Sequence, residues 1–231
     1  MQEPLIFLPG MMCDARLFEP QIAAVSSERA VMVVPLTGAD TMAGLAAAIL
    51  AIAPPRFALA GLSMGGIVAM EIIRQAPERV TRLALIDTNP LADPPDKAAM
   101  RQAQVEKVAS GGLRAVMRDE MKPNYLAPGP KRDELLNLCM DMAESLGPSV
   151  FADQSAAIQS RPDQRETLRS VTVPTRILCG AEDALCPVER HQLMHDLVPG
   201  SQLAIIEGAG HLPTLEQPDA TNEVLRQWLT H

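Results

Sequence analysis

Aromatic side chains are scarce in this chain: 3% of 231 residues, supplied by one Trp, one Tyr and four Phe. So few rings offer little surface on which to stack nucleobases, which argues against a single-strand nucleic-acid platform. Positive charge is also short. Lys and Arg number 20 against 28 Asp and Glu, a formal net charge of -8. The long-range field of such a chain repels phosphate backbones and anionic membranes, so neither is an expected partner. No apolar run reaches the ~18 residues needed to span a bilayer. The longest apolar-rich segment, Met42 to Ala53, is Ala-rich and stops at Pro54-Pro55. The start, Met1-Gln2-Glu3-Pro4, lacks the basic region of a secretory signal, and the run Leu5 to Leu8 ends at Pro9-Gly10, so a cytoplasmic location is expected. The four cysteines, Cys13, Cys139, Cys179 and Cys186, show no CxxC pair or zinc-ligand spacing and read as reduced thiols.

What is present is ordinary for a folded globular chain: 47% hydrophobic and 21% charged residues. At ~150 residues per domain, the length suits one α/β core with an insertion better than two equal domains. Short apolar runs recur at Leu5–Leu8, Val31–Val34, Phe57–Ala60, Leu83–Ile86, Arg176–Cys179 and Leu203–Ile206. They are nearly continuous in hydrophobicity, the mark of strands buried on both faces of a parallel sheet. Helix-length segments lie between most of them: Leu17–Val25, Met42–Ile52, Gly66–Ala76 and Pro187–Leu197. This alternation predicts a doubly wound, mostly parallel α/β sheet with any site at the strand C-termini. The rhythm breaks between residues 91 and 172. No strand-like run appears there, and Gly111-Gly112, Pro123, Pro128-Gly129-Pro130 and Gly147-Pro148 punctuate helical stretches at Lys97–Ser110, Leu113–Met121, Lys131–Leu146 and Ser149–Gln159. The chain is therefore divided into a core of residues 1–90 and 173–231 and a helical insertion of residues 91–172. The insertion leaves from a strand C-terminus, so it is expected to act as a lid; the plainer alternative is an extra packing layer.

The sharpest local feature is Gly61-Leu62-Ser63-Met64-Gly65-Gly66, a G-x-S-x-G sequence between a strand and a helix. In that setting a tight turn lifts the serine off the sheet edge and above a helix N-terminus, and Gly61 and Gly65 supply the room. A phosphate loop is excluded because no Lys-Ser or Lys-Thr follows Gly66 and the G-x-G-x-x-G spacing is missing. A serine nucleophile needs a base, and there are four histidines. His231 is terminal. His191 and His195, four apart on a predicted helix, suggest one edge of a metal site only weakly, and otherwise read as solvated. His211 follows the last strand in Gly208-Ala209-Gly210-His211 and is the candidate base. Its orienting acid is Asp183, in Gly180-Ala181-Glu182-Asp183 after a strand, with Asp87 in reserve; Glu182 would point away if Asp183 points in. The order Ser63, Asp183, His211 is the one this architecture uses.

On these residues the chain resembles the α/β-hydrolase superfamily, and within it the small lidded esterases and lactonases of the pimeloyl-carrier-protein methyl esterase and 3-oxoadipate enol-lactonase type. The resemblance runs from Leu5 to Leu229. It is carried by Leu8-Pro9-Gly10, Gly61-Leu62-Ser63-Met64-Gly65-Gly66, Gly180-Ala181-Glu182-Asp183, Gly208-Ala209-Gly210-His211 and Glu216-Gln217-Pro218. It implies an oxyanion hole built from the backbone N–H groups of Met11 and Met64. It also implies about six strands, because the first strand here matches the family's third and the usual N-terminal hairpin is missing. Pro9 stands where the family has a histidine. The implied activity is hydrolysis of a small or medium carboxylic ester, lactone or thioester through an acyl-enzyme, with no metal or organic cofactor. An acyltransferase, or a ligand-binding member with little turnover, is the alternative.

Substrate and assembly are less legible. Met11, Met12, Met64, Met117 and Met121 suggest a flexible apolar pocket, or simply core filling. Arg114, Arg118 and Lys122 fall at i, i+4 and i+8 of one helix face, either a solvated stripe or a recognition surface for an acidic partner. A monomer or homodimer is expected.

Overall fold

The computed structural model describes residues 2–230. Six strands form one sheet: β1 (Leu5–Leu8), β2 (Val31–Val33), β3 (Phe57–Leu62), β4 (Val80–Ile86), β5 (Thr175–Gly180) and β6 (Gln202–Ile206). The spatial order is β2-β1-β3-β4-β5-β6, and every pairing is parallel. The chain winds outward in one direction from β1 to β2 and in the other from β3 onward. The switch point therefore lies between the C-termini of β1 and β3, where Leu8 pairs with Gly61.

Alternation along the strands feeds two cores. Ile6, Leu8, Leu59, Leu83, Leu85 and Ile177 point to the face covered by α2 (Met42–Ile52) and α3 (Met64–Gln75). Leu5, Phe7, Ala58, Ala60, Leu62 and Leu178 point to the face covered by α1 (Glu19–Val25) and the C-terminal α10 (Pro218–Thr230). The central strands β1, β3 and β5 are fully buried, whereas the edge strands β2 and β6 are only partly covered. The uniform apolar runs thus read correctly for the middle of the sheet and overstate burial at its edges.

Between β4 and β5 the chain is helical, as the missing strand signals predicted. It contains α4 (Ala98–Lys107), the short α5 (Leu113–Ala115), α6 (Arg132–Gln159) and α7 (Arg165–Arg169). Turns of π-helix at Val108–Gly112 and Val116–Met121 flank α5 and change the helical register. As expected, two helices meet at Gly147-Pro148: the stretch α6 is broken by a kink where Gly147 takes φ +83° and ψ 177°. Helices α8 (Val188–Leu197) and α9 (Pro213–Glu216) complete the fold. Among the described residues, no helix is long and apolar enough to cross a membrane.

Candidate active site

Ser63 sits between β3 and α3 with φ 55° and ψ -116°. A side chain at positive φ crowds its own backbone, at a cost of ~1–3 kcal/mol, so the surroundings must hold it. The Ser63 N–H donates to the Ile86 carbonyl at 2.9 Å, and the Ser63 carbonyl accepts from Gly66 N–H at 2.9 Å and Thr88 Oγ1 at 2.7 Å. The flanking glycines are spatial requirements. A Cβ on Gly61 would lie 2.2 Å from the Gly65 oxygen, and one on Gly65 would lie 2.0 Å from the Leu8 oxygen. The elbow is packed backbone against backbone.

Ser63 Oγ lies 2.8 Å from His211 Nε2, and His211 Nδ1 lies 2.8 Å from Asp183 Oδ2. With a carboxylate on Nδ1, that nitrogen carries the proton and Nε2 is left to accept from the serine. The other Asp183 oxygen, Oδ1, accepts from Leu185 N–H at 2.8 Å and Cys186 N–H at 3.0 Å. Burial pushes the Asp183 carboxyl up. The facing His211 and the hydrogen bonds from Asp87 and Cys186 outweigh that, so its pKa is held below the usual carboxylate range. Glu182, its neighbour, is exposed.

Asp87, the reserve acid, is placed differently. It too has positive φ, 43°, and is fully buried. Its Oδ1 accepts from Gly180 N–H at 2.9 Å, and it makes no hydrogen bond to His211. Burial first, and then the charge of Asp183, raise its pKa well above the ordinary value. Its protonated form is thus favoured behind the Asp183–His211 pair.

The His211 loop is fixed from two sides. His211 N–H donates to the Tyr125 carbonyl of the insertion at 2.8 Å. The Glu216 carboxylate accepts from Gly210, Leu212 and Ala127 N–H groups at 2.7 to 3.0 Å. In the sequence Glu216 stands out only as part of the trailing Glu216-Gln217-Pro218; its three donors show what it does.

The loop after β1 turns sharply, with Cys13 N–H donating to the Gly10 carbonyl at 3.1 Å and Met12 at φ 56°. Met12 N–H donates to Gln154 Oε1 at 2.8 Å, and Gln154 Nε2 donates to the Leu36 carbonyl at 2.8 Å. Gln154 was missed from the sequence. Its setting, Phe151-Ala152-Asp153-Gln154-Ser155, is mixed and does not single it out. Met64 opens α3, so its N–H has no intrahelical acceptor. Met11 and Met64 both face the cavity above Ser63, which has a volume of about 360 Å³. Met100 and Met121 also line it, whereas Met12 and Met117 are buried in the core.

Several expectations need correction. His191 is not solvated but fully buried. Its Nε2 accepts from Thr88 N–H at 3.1 Å while Nδ1 faces the Pro187 carbonyl at 3.3 Å. Burial lowers its pKa to about 4. His195 instead pairs with Ser201 Oγ at 2.8 Å, so the two do not form a metal edge. The stripe Arg114, Arg118, Lys122 borders a single cavity, but the π turn at Val116–Met121 carries its end inward. Arg114 pairs with Glu144 and Arg118 with Asp119, but Lys122 is buried with its Nζ 4.3 Å from the Tyr125 ring centroid. His231 lies outside the described residues. Among the described residues, Asp183, Cys186 and His211 bring ligand atoms within 4.8 Å of one another. Both His211 nitrogens are already engaged, and burial with the Asp183 charge pushes the Cys186 thiol well up, so this donor set is poorly matched to a metal. All four cysteines are buried free thiols.

Comparison with known proteins places the chain in a family. A pimeloyl-[acyl-carrier protein] methyl ester esterase of Pectobacterium carotovorum subsp. carotovorum is 26% identical over 95% of this chain and 91% of its own length. Another curated relative is a bifunctional protein, of which the chain spans 44%. A thermophilic esterase from Thermogutta terrifontis, solved with malate bound, superposes with a TM-score of 0.89 and 29% identity, covering 99% of this chain and 90% of that one. The enol-lactonase from Burkholderia xenovorans LB400 has the same fold, with a TM-score of 0.89, 20% identity and coverage of 100% and 92%. The family model described as "Alpha/beta hydrolase family" matches residues 5–224, and the chain belongs to that family.

Proposed function

We propose that this chain is a carboxylic ester hydrolase in which Ser63 is the nucleophile, His211 the general base and Asp183 the orienting acid. The observation that carries the reading is the continuous relay at the mouth of β3, with 2.8 Å from Ser63 Oγ to His211 and 2.8 Å from His211 to Asp183. His211 Nε2 takes the Ser63 proton as Oγ attacks the ester carbonyl carbon. The carbonyl oxygen becomes an oxyanion facing the Met11 and Met64 N–H groups, where loss of one donor costs ~3–4 kcal/mol of transition-state stabilisation. The tetrahedral species collapses, the C–O bond to the alcohol breaks, and His211 returns the proton to the departing alcohol. Water then attacks the acyl-enzyme with His211 again as base, releasing the acid and restoring Ser63. Asp183 keeps the imidazole in the needed tautomer throughout and stabilises the imidazolium.

Residues 91–172 serve as the lid of this site. The insertion supplies Met100 and Met121 to the cavity and the Tyr125 carbonyl to the His211 loop. A cavity of about 360 Å³ suits a small or medium ester. The relatives named esterase and enol-lactonase support carboxylic-ester chemistry. A fluorophosphonate probe tests the assignment: it should label the wild type and leave Ser63→Ala unlabelled. Equal labelling of both proteins would remove Ser63 from the mechanism.

A further inference from the structure

The cavity above Ser63 has a charged wall that ester hydrolysis alone does not need. Lys97, Arg101 and Arg161 face into it, together with Asp93 and Glu120. Asp93, with its side chain 3% exposed, is held by Arg101 through Nε at 2.6 Å and Nη2 at 3.1 Å, and by Arg161 through Nη2 at 3.1 Å. Arg161 Nε also donates to the Leu91 carbonyl at 2.9 Å. Two guanidiniums thus share one carboxylate. Glu120 does not balance the excess, because Lys107 pairs with it at 2.7 Å and Gln104 donates to it at 3.0 Å. Lys97 is exposed and makes no ion pair among the described residues.

A simple clasp on Asp93 would need one arginine. Bringing a second guanidinium out of water against an already paired carboxylate has a desolvation cost that the shared ion pair repays poorly. The surplus is local, since the chain as a whole is at -8. It also sits where a ligand can use it. Neither Arg101 Nη1 nor Arg161 Nη1 has an acceptor among the described residues, and a planar guanidinium edge matches a carboxylate.

We propose that Lys97, Arg101 and Arg161 form a subsite for an anionic group, and that the preferred substrate is an ester carrying an ionised carboxylate away from its scissile bond, such as a half-ester of a dicarboxylic acid. The inference rests on the ester-hydrolase reading of Ser63 and narrows it. It also adds a charged end to the flexible apolar pocket that the methionines suggest. The methionines of the same cavity take the methylenes, and the cationic wall takes the free carboxylate.

The test compares kcat/KM for methyl half-esters and dimethyl esters of the dicarboxylic acids from succinic to suberic at low ionic strength. At the best chain length the half-ester should be preferred about tenfold or more, the size of one charge-assisted hydrogen bond. Added salt should shrink the preference. Arg101→Gln leaves Asp93 paired one to one with Arg161, so the wall stays balanced, and both it and Lys97→Met should reduce the half-ester to diester ratio several-fold. Lys131→Met, an exposed cation outside the cavity, should keep the wild-type ratio. Glutarate binding to Ser63→Ala, followed by thermal shift, reads the subsite without chemistry and should weaken when Arg101→Gln is added. A wild type that hydrolyses neutral esters with no half-ester preference at any length, or a preference untouched by both wall variants, overturns the subsite and leaves the hydrolase intact. A wild type that cleaves no ester and resists fluorophosphonate removes the hydrolase reading, and glutarate binding then decides the subsite by itself.

Discussion

Acidification from pH 7 to pH 4 places a proton on His191 in the unfolded chain but not, until the end of that range, in the folded one. The imidazole is fully buried between the Thr88 N–H, which Nε2 accepts, and the Pro187 carbonyl, which Nδ1 faces. Burial moves its pKa from 6.5 to about 4. Below pH 6.5 the unfolded state therefore binds the extra proton. Stability is lost as pH falls toward 4, at about 1.4 kcal/mol per pH unit in mid-window and about 3 kcal/mol in all. Asp87 and Glu216 work in the opposite sense. Their raised pKa values mean that the folded state keeps protons that the unfolded state gives up, so acid favours folding at those positions. A single stability curve mixes the two signs. The difference between wild type and His191→Gln, whose amide oxygen can still accept from Thr88, isolates the histidine. Urea unfolding in steps across this range supplies that difference. The wild type should lose about 3 kcal/mol relative to the variant between pH 7 and pH 4. A difference constant to within about 0.5 kcal/mol would refute a buried neutral His191. The effect reaches the site, because Thr88 Oγ1 holds the Ser63 carbonyl at 2.7 Å.

Asp183→Asn should lower kcat by up to the ~10⁴-fold seen for the same change in a serine-protease triad, whereas Asp87→Asn, which keeps a neutral group beside Asp183, should cost far less. Steady-state kinetics that reverse this order would exchange the two roles. Gln154→Ala leaves the Met12 N–H and the Leu36 carbonyl without partners at ~1–3 kcal/mol each, so both the urea midpoint and kcat should fall while KM changes little. An unchanged kcat would mean that the loop after β1 holds its shape without Gln154. Glu216→Ala strips three N–H groups of their acceptor and should depress kcat more than Glu216→Gln, which keeps one carbonyl oxygen; the opposite ranking would show that the charge of Glu216 and not its acceptor geometry matters.

The frame and the relay were legible in the sequence because each leaves a local mark. Uninterrupted apolar runs gave the strands, and Gly61 and Gly65 are needed because a Cβ there would lie 2.2 and 2.0 Å from backbone oxygens. The choice of Asp183 over Asp87 followed chain order, and the geometry at His211 agrees with it. What escaped depended on partners distant in the chain. Nothing near Gln154 announces Met12, which lies 142 residues away. Nothing near His191 announces Thr88, 103 residues away. The cationic stripe was only partly legible: Arg114, Arg118 and Lys122 border one cavity, but a regular 3.6-residue period does not hold where the helix takes π turns, and Lys122 lies in the interior.

The bend at Gly147 divides the insertion mechanically. The arm beyond the bend is tied down by Gln154, which grips the backbone at Met12 and at Leu36, and by Gln164 farther along, whose N–H reaches the Pro90 carbonyl and whose amide reaches buried Glu71. Swinging that arm outward would expose orphaned polar groups and release the turn beside Ser63. The stretch from α4 to Met121 has no comparable tether to the sheet loops; its side-chain ties run to Asp93, to Glu144 and among its own residues. If residues 91–172 cover the site as proposed, traffic to and from the cavity is expected to be cheapest by a hinge on that side, with the far arm as a fixed jamb. A spectroscopic label on Met100 would move with the entrance, and one near Ala156 would report the stationary frame.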